Sequence, residues 1–305
     1  MKNLKKLVED LNEILWHDAE SRLIIERSGV KVSPCNYYSS IPSLDEIQES
    51  FEYRLDDEYP PYADLDVFAS HERPAHLLKA LTEFSGEFDP PLEGNEDDPV
   101  GYFWKNSQFS HSDAMAYYCF IRYFRPSKIV EIGSGFSTLI ARQASEKNGE
   151  TDLICVEPFP RSFLEQIEGL KLIKEKAQDL PVNWLNDNLA GGDVLFIDST
   201  HTVKTGSDCL NLYLRMIPHI KHDVIIHVHD IFLPFGMPES WFEKHIYWTE
   251  QYLLLAFLIN NPKIEFLFGS RYHQWKNEEL LESFMGGKAN PGGASFWFRY
   301  RGDIS

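Results

Sequence analysis

Two rhythms of apolar residues run along this chain. Leu4, Leu7, Val8, Leu11, Ile14 and Leu15 recur at helical spacing and predict an opening amphipathic helix. Its apolar stripe needs a partner, either the chain's own core or a second subunit. From Lys128 onward short continuous apolar runs take over: Lys128 to Ile132, Asp152 to Val156, Leu170 to Ala177, Asp193 to Ile197 and Val224 to Val228. Stretches of helical periodicity separate them, and this alternation predicts a doubly wound parallel sheet. Further helices are expected over Asp113 to Tyr123, from about Ser207 to Met216 with an end near Pro218, and over Trp248 to Ile259. Two aromatic-rich runs, Ile264 to Tyr272 and Ala294 to Arg299, flank the loop MGGKANPGG and suit a terminal antiparallel pair.

Between Tyr37 and about Val100 the pattern becomes irregular, broken by Pro60, Pro61, Pro74, Pro90 and Pro91 and by the acidic stretches DDEYPPYADLD and GEFDPPLEGNEDDP. Only a helix near His76 to Phe84 is expected there. The chain therefore reads as an accessory segment over 1–104, fitted to cap a substrate or to self-associate, and an α/β domain over 105–305. Acidic residues outnumber basic ones 47 to 29, for a formal charge of -18. Such a surface repels a nucleic-acid backbone or an anionic membrane. Cys35, Cys119, Cys155 and Cys209 are widely spaced without a CxxC pair and read as reduced core residues. The N-terminus lacks the apolar stretch of a signal peptide and no run is long enough to span a bilayer, so the expected compartment is the cytoplasm.

The candidate chemistry lies where the apolar runs end. Gly133 and Gly135 follow the first run and would let the backbone turn tightly beside a ligand. Twenty-two residues past Gly135, Glu157 ends the second run, where a nucleotide-binding βαβ unit places a carboxylate for ribose hydroxyls. The later runs end at Asp198 and at His229 and Asp230. Since ligands of open α/β sheets bind beyond the carboxyl ends of strands, Glu131, Glu157, Asp198 and the His229/Asp230 pair are expected on one rim. His227 shares a strand face with His229 and reads as a satisfied core histidine. Of Phe232, Phe235, Trp241, Tyr247 and Trp248, most are expected to pack and a few to wall an acceptor pocket.

The segments EIGSGFST, DVLFIDSTH and IIHVHDIF, with Glu157 between the first two, resemble the class I S-adenosylmethionine-dependent methyltransferases. The resemblance covers roughly Asn106 to Tyr300, and IDSTHTVKTGSD followed by HVHDIFLPF is its more specific part. It is strongest toward the branch holding metal-dependent O-methyltransferases of sugars and catechols and cephalosporin-hydroxylase-like proteins. It implies a Rossmann-like, seven-stranded, mostly parallel sheet with an antiparallel last strand. It also implies that Glu131, Gly133, Ser134 and Gly135 surround the methionine part of S-adenosylmethionine, that Glu157 binds its ribose, and that Gln178 lies near the adenine, with Asp198 also at the cofactor. A divalent metal would be held by Asp198, His229 and Asp230. Magnesium prefers all-oxygen ligands, whereas the histidine suits manganese, iron or zinc. His201 would be the general base, with Lys204 steadying the developing oxyanion on a sugar or other small-molecule acceptor. Two other readings share these features: an NAD-dependent oxidoreductase, although Thr138 stands where the third glycine or alanine belongs, and a non-catalytic cofactor-binding scaffold.

Overall fold

The computed structural model describes residues 2–54, 59–149 and 151–302. One sheet of seven strands runs in the order β3-β2-β1-β4-β5-β7-β6, with β1 Lys128–Ile132, β2 Asp152–Val156, β3 Lys171–Ile173, β4 Val194–Ile197, β5 Val224–Val228, β6 Ile264–Gly269 and β7 Phe296–Tyr300. The strands β1 to β5 pair in parallel, and the final strand β7 runs antiparallel to both β5 and β6. This is the class I methyltransferase fold. The Leu170 to Ala177 run is extended over three residues only, because Lys174, Glu175 and Lys176 break its apolar pattern.

Alternate strand residues face opposite layers, as a pleated strand requires. Ile129, Val194, Phe196, Ile225 and Trp297 join one core beneath the helices His111–Phe124 and Phe136–Asn148. Val130, Ile132, Leu195, Ile197, Ile226, Val228 and Phe298 join the other. The expected Ser207 to Met216 helix changes pitch: a turn of α-helix over Asp208–Asn211 passes into a π-turn over Leu212–Met216 and a 3-10 turn over Ile217–His219. Pro218, which lacks an N–H, prevents a regular continuation.

The chain separates into compact units Met1–Asp56 and Asp57–Ser305, so the division falls well before the expected 104/105. The reason lies in the aromatics of the irregular segment. Phe88 is fully buried, stacked on Tyr118 of the helix His111–Phe124 and flanked by Tyr102 and Trp104. Leu78 and Leu81 of the helix Glu72–Ser85 enter the same core. Prolines made that segment irregular without making it separate. The first unit holds the helices Lys2–His17 and Ala19–Arg27 and a short helix, Leu44–Gln48, opened by a reciprocal Ser43/Glu46 cap. Leu4, Leu7 and Val8 are exposed. Asp56, Asp57 and Glu58 of the acidic run lie outside the described residues. Cys35, expected in the core, is exposed in a stretch without regular structure, whereas Cys119, Cys155 and Cys209 are buried thiols. Among the described residues no helix is long and apolar enough to cross a membrane.

Candidate active site

Strand register builds the site. Ile132 pairs with Val156 and with Ile197, and Ile197 pairs with Val228, so four strands end level. The residues after those ends emerge on one rim, around a cavity of about 450 Å³ lined by Ser134, Gly135, Glu157, Asp198, His229 and Asp230. Gly133 makes the approach feasible. Its φ is +84°, its N–H donates to Val156 at 2.9 Å, and a Cβ there would lie 1.7 Å from the Asp198 carbonyl oxygen. Only glycine combines that backbone conformation with that contact.

Past the glycine loop, the helix Phe136–Asn148 opens toward the cavity through Gly135, Phe136 and Ser137. First-turn N–H groups of a helix lack helical partners and suit a carboxylate. The hydroxyls of Ser134 and Ser199 are buried without a hydrogen-bond partner among the described residues, and both residues line the cavity. The Glu157 carboxylate accepts the N–H groups of Ser134 at 3.3 Å and Phe159 at 2.9 Å, which aims it across the loop. Carboxylates of Glu157, Asp198 and Asp230 line the cavity together with Arg161 and the rings of His201 and His229, so the lining carries charge of both signs and is poor for a pyrophosphate. These features fit S-adenosylmethionine: a carboxylate for the helix start, hydroxyls for Glu157, and a sulfonium for the carboxylates of Asp198 and Asp230.

At the far end stands His201. Its Nε2 lies 3.2 Å from Asp198 Oδ1 and 3.7 Å from Asp230 Oδ2, and its Nδ1 lies 2.7 Å from Glu250 Oε2. The indole of Trp248 covers the ring at a centroid distance of 4.3 Å. Burial alone would push the ring's pKa down, but hydrogen bonds to Asp198 and Glu250 and their charges outweigh it and hold the pKa well above the ordinary value. For Asp198, burial works upward, and the charge of His229 with the hydrogen bond from His201 overcomes it, leaving the carboxyl at about 2. Burial raises the Asp230 carboxyl against the opposing charges of His229 and His201. His201 and Asp230 both adopt left-handed backbone, with φ of +55° and +54°, a conformation rare outside glycine and common at functional sites.

The expected rim is thus assembled from Glu157, Asp198, His229 and Asp230, but Glu131 is not part of it. Its side chain points into the helical layer, fully buried, and accepts from Tyr117 at 2.8 Å, Thr138 at 2.5 Å and the Cys155 thiol at 3.3 Å. Gln178 sits half-buried in the 3-10 turn Ala177–Asp179, outside the cavity lining. Lys204 is exposed and also outside it, its N–H meeting Ser207 Oγ at 3.3 Å. The ligand atoms that converge within 4.8 Å of one another belong to Asp198, His201 and Asp230, with His201 where His229 was expected. The His229 ring instead packs on Phe109 at 4.8 Å, with Asp113 and Asp230 each 3.7 Å from its nitrogens. His227 is fully buried, its Nε2 bonded to Ser295 Oγ at 2.7 Å, and of the five aromatics only Trp248 reaches the cavity wall. Gln108, Phe109, Phe159 and Glu250 were not anticipated. An acid in the first turn of an apolar helix is common and carries no mark of its function.

Residues 130–231 match the model of a methyltransferase domain family. Over 189 residues the chain is 30% identical to a protein of Archaeoglobus fulgidus described as uncharacterized, a segment covering 58% of this chain and 82% of that one. Solved structures similar to it include the methyltransferase PaMTH1 of Podospora anserina bound to SAH, with 15% identity over 89% of this chain and 99% of that one and a TM-score of 0.42. Another is the O-methyltransferase TomG of Streptomyces achromogenes in complex with SAM, with 14% identity, coverage of 74% and 90%, and a TM-score of 0.37.

Proposed function

We propose that this chain, which belongs to the class I S-adenosylmethionine-dependent methyltransferase family, methylates a hydroxyl group of a small molecule, with His201 as the base that takes the hydroxyl proton. The observation that carries this reading is the aim of the His201 ring. One nitrogen is bound to buried Glu250, and the other faces Asp198 and Asp230 at the end of a cavity that begins at the glycine loop. Transfer to a hydroxyl needs positioning and proton removal, and a histidine backed by a carboxylate supplies the second.

When bound, S-adenosylmethionine would supply a methyl group on a sulfonium, whose positive charge would be faced by the carboxylates of Asp198 and Asp230. Gly135 and the first turn of the helix Phe136–Asn148 would hold the methionine end, and Glu157 would accept from the ribose. Asp198 and Asp230 balance the charge of the His201 imidazolium, and a second positive charge nearby favours the ring's neutral form, which is the form able to take a proton at Nε2. Phe159 and Trp248 contribute apolar surface to the cavity wall.

A second reading rests on the convergence of Asp198, His201 and Asp230, a donor set of two oxygens and one nitrogen that suits manganese, iron or zinc better than magnesium. Here His201 would be a ligand, and a bound cation would lower the acceptor's pKa. Calorimetric titration of the full chain with S-adenosylhomocysteine and with NAD, followed by transfer of labelled methyl groups to sugars, catechols and phenols with and without a chelator, tests both. Binding of S-adenosylhomocysteine and not NAD is expected, with label transferred by the wild type and not by His201→Asn. Chelator-resistant transfer defeats the metal reading, and equal transfer by His201→Asn defeats the assignment of His201.

A further inference from the structure

A histidine can present a chosen nitrogen to a reactant only if its other nitrogen is held. Glu250 is almost completely buried, at 1% exposure, and both of its oxygens are in use. Oε2 meets His201 Nδ1 at 2.7 Å, while Oε1 accepts the hydroxyl of Tyr213 at 2.8 Å. The backbone closes the same circuit: the His201 carbonyl accepts the N–H groups of Thr249 at 2.9 Å and Glu250 at 3.1 Å, and Val203 N–H donates to Thr249 Oγ1 at 2.9 Å. The loop after β4 is thereby tied to the start of the helix Glu250–Leu258, and His201 keeps its left-handed backbone.

Tyr213 lies in the π-turn Leu212–Met216, an insertion of a kind frequent at functional sites. A carboxylate accepts and cannot donate, so the hydrogen between His201 and Glu250 belongs to Nδ1. The bond at one ring nitrogen determines what the other presents.

We infer that Glu250 is the positioning residue of this site: it fixes the hydrogen on Nδ1 of His201 and turns Nε2 toward Asp198 and Asp230, with Tyr213 fixing Glu250 in turn. The use of Nε2 rests on the methyltransferase reading, in either of its forms, but the orientation of the ring does not.

The test is nuclear magnetic resonance of the full chain labelled with 15N-histidine, without cofactor or acceptor. A low-field Nδ1–H resonance, assigned to His201 by its absence from His201→Asn, is expected in the wild type. Tyr213→Phe, which frees Oε1 of Glu250, keeps it but with faster exchange with solvent. Glu250→Ala loses it to solvent exchange, and the near-isosteric Glu250→Gln, which preserves the packing, shifts it to higher field because a neutral amide is the weaker acceptor. A group that served only to fill the core would lower the unfolding temperature when replaced and leave this resonance in place. Absence of an Nδ1–H resonance from the wild type, or an unshifted resonance in Glu250→Gln, overturns the inference. Titration of the same wild-type sample with S-adenosylhomocysteine keeps the two ideas apart: failure to bind defeats the methyltransferase reading and leaves the resonance result standing.

Discussion

A Cβ at residue 133 would stand 1.7 Å from the carbonyl oxygen of Asp198, so the turn after β1 and the end of β4 touch backbone to backbone. Gly133→Ala therefore meets both a forbidden contact and a positive φ. Together these cost about 2–4 kcal/mol of stability. Denaturant unfolding should show a lowered midpoint, and binding of S-adenosylhomocysteine should weaken as Asp198 is pushed from the rim. A variant within about 0.5 kcal/mol of wild type would mean that the two segments separate easily.

Glu131 makes stability depend on pH in an unusual direction. Burial raises its carboxyl to about 7, against hydrogen bonds from Thr138, Tyr117 and Cys155 that pull the other way. A folded pKa above the unfolded one means the folded state holds the proton more tightly, so this contribution is complete below about pH 4.5 and is lost as pH rises to about 7. Its size is on the order of 3 kcal/mol. Unfolding of Glu131→Gln across this range should lack that decline, and identical pH profiles for the two proteins would remove Glu131 as its source.

His201→Asn should reduce methyl transfer by about 100-fold to 10,000-fold and leave affinity for S-adenosylhomocysteine within a small factor. Glu157→Ala should do the reverse, weakening that affinity by roughly 10-fold to 100-fold as hydrogen bonds to a charged group are lost. Lys204→Ala should change neither, because its side chain is exposed outside the cavity lining. Calorimetry and initial rates on one acceptor separate the three, and a rate defect in Lys204→Ala would bring that residue back to the site.

Phe88→Ala should cost about 3–5 kcal/mol, the usual loss for a large buried aromatic, since Phe88 contacts Tyr102, Trp104 and Tyr118. A single cooperative unfolding transition shifted as a whole is expected. Loss of an early, separate transition would instead place Phe88 in a unit of its own.

The sheet was legible because each buried parallel strand is a continuous apolar run, and the level ends of four such runs carried the polar rim with them. Glu157, Asp198, His229 and Asp230 were readable for that reason. Glu131 was misplaced because strand position says nothing about which layer a side chain enters. The parity along β1 puts Glu131 on the face of Ile129, toward Tyr117, and not at the loop. His201, and not His229, stands with the two aspartates for a related reason: left-handed backbone at His201 swings its ring between them, and such a conformation leaves no trace in residue type. Glu250, 49 residues from His201, meets it only through tertiary structure. The π-turn that brings Tyr213 to Glu250 is likewise a change of pitch without a sequence mark.

The level strand ends divide labour within the molecule. The sheet rim supplies Asp198 and Asp230, while Phe159 and Trp248 come from the connections between elements. Connections can lengthen or exchange side chains without disturbing strand register. On the proposed reading, changes confined to Phe159 and Trp248 would alter the wall an acceptor meets, while Asp198 and Asp230 stay at the strand ends and His201 stays tied to Glu250.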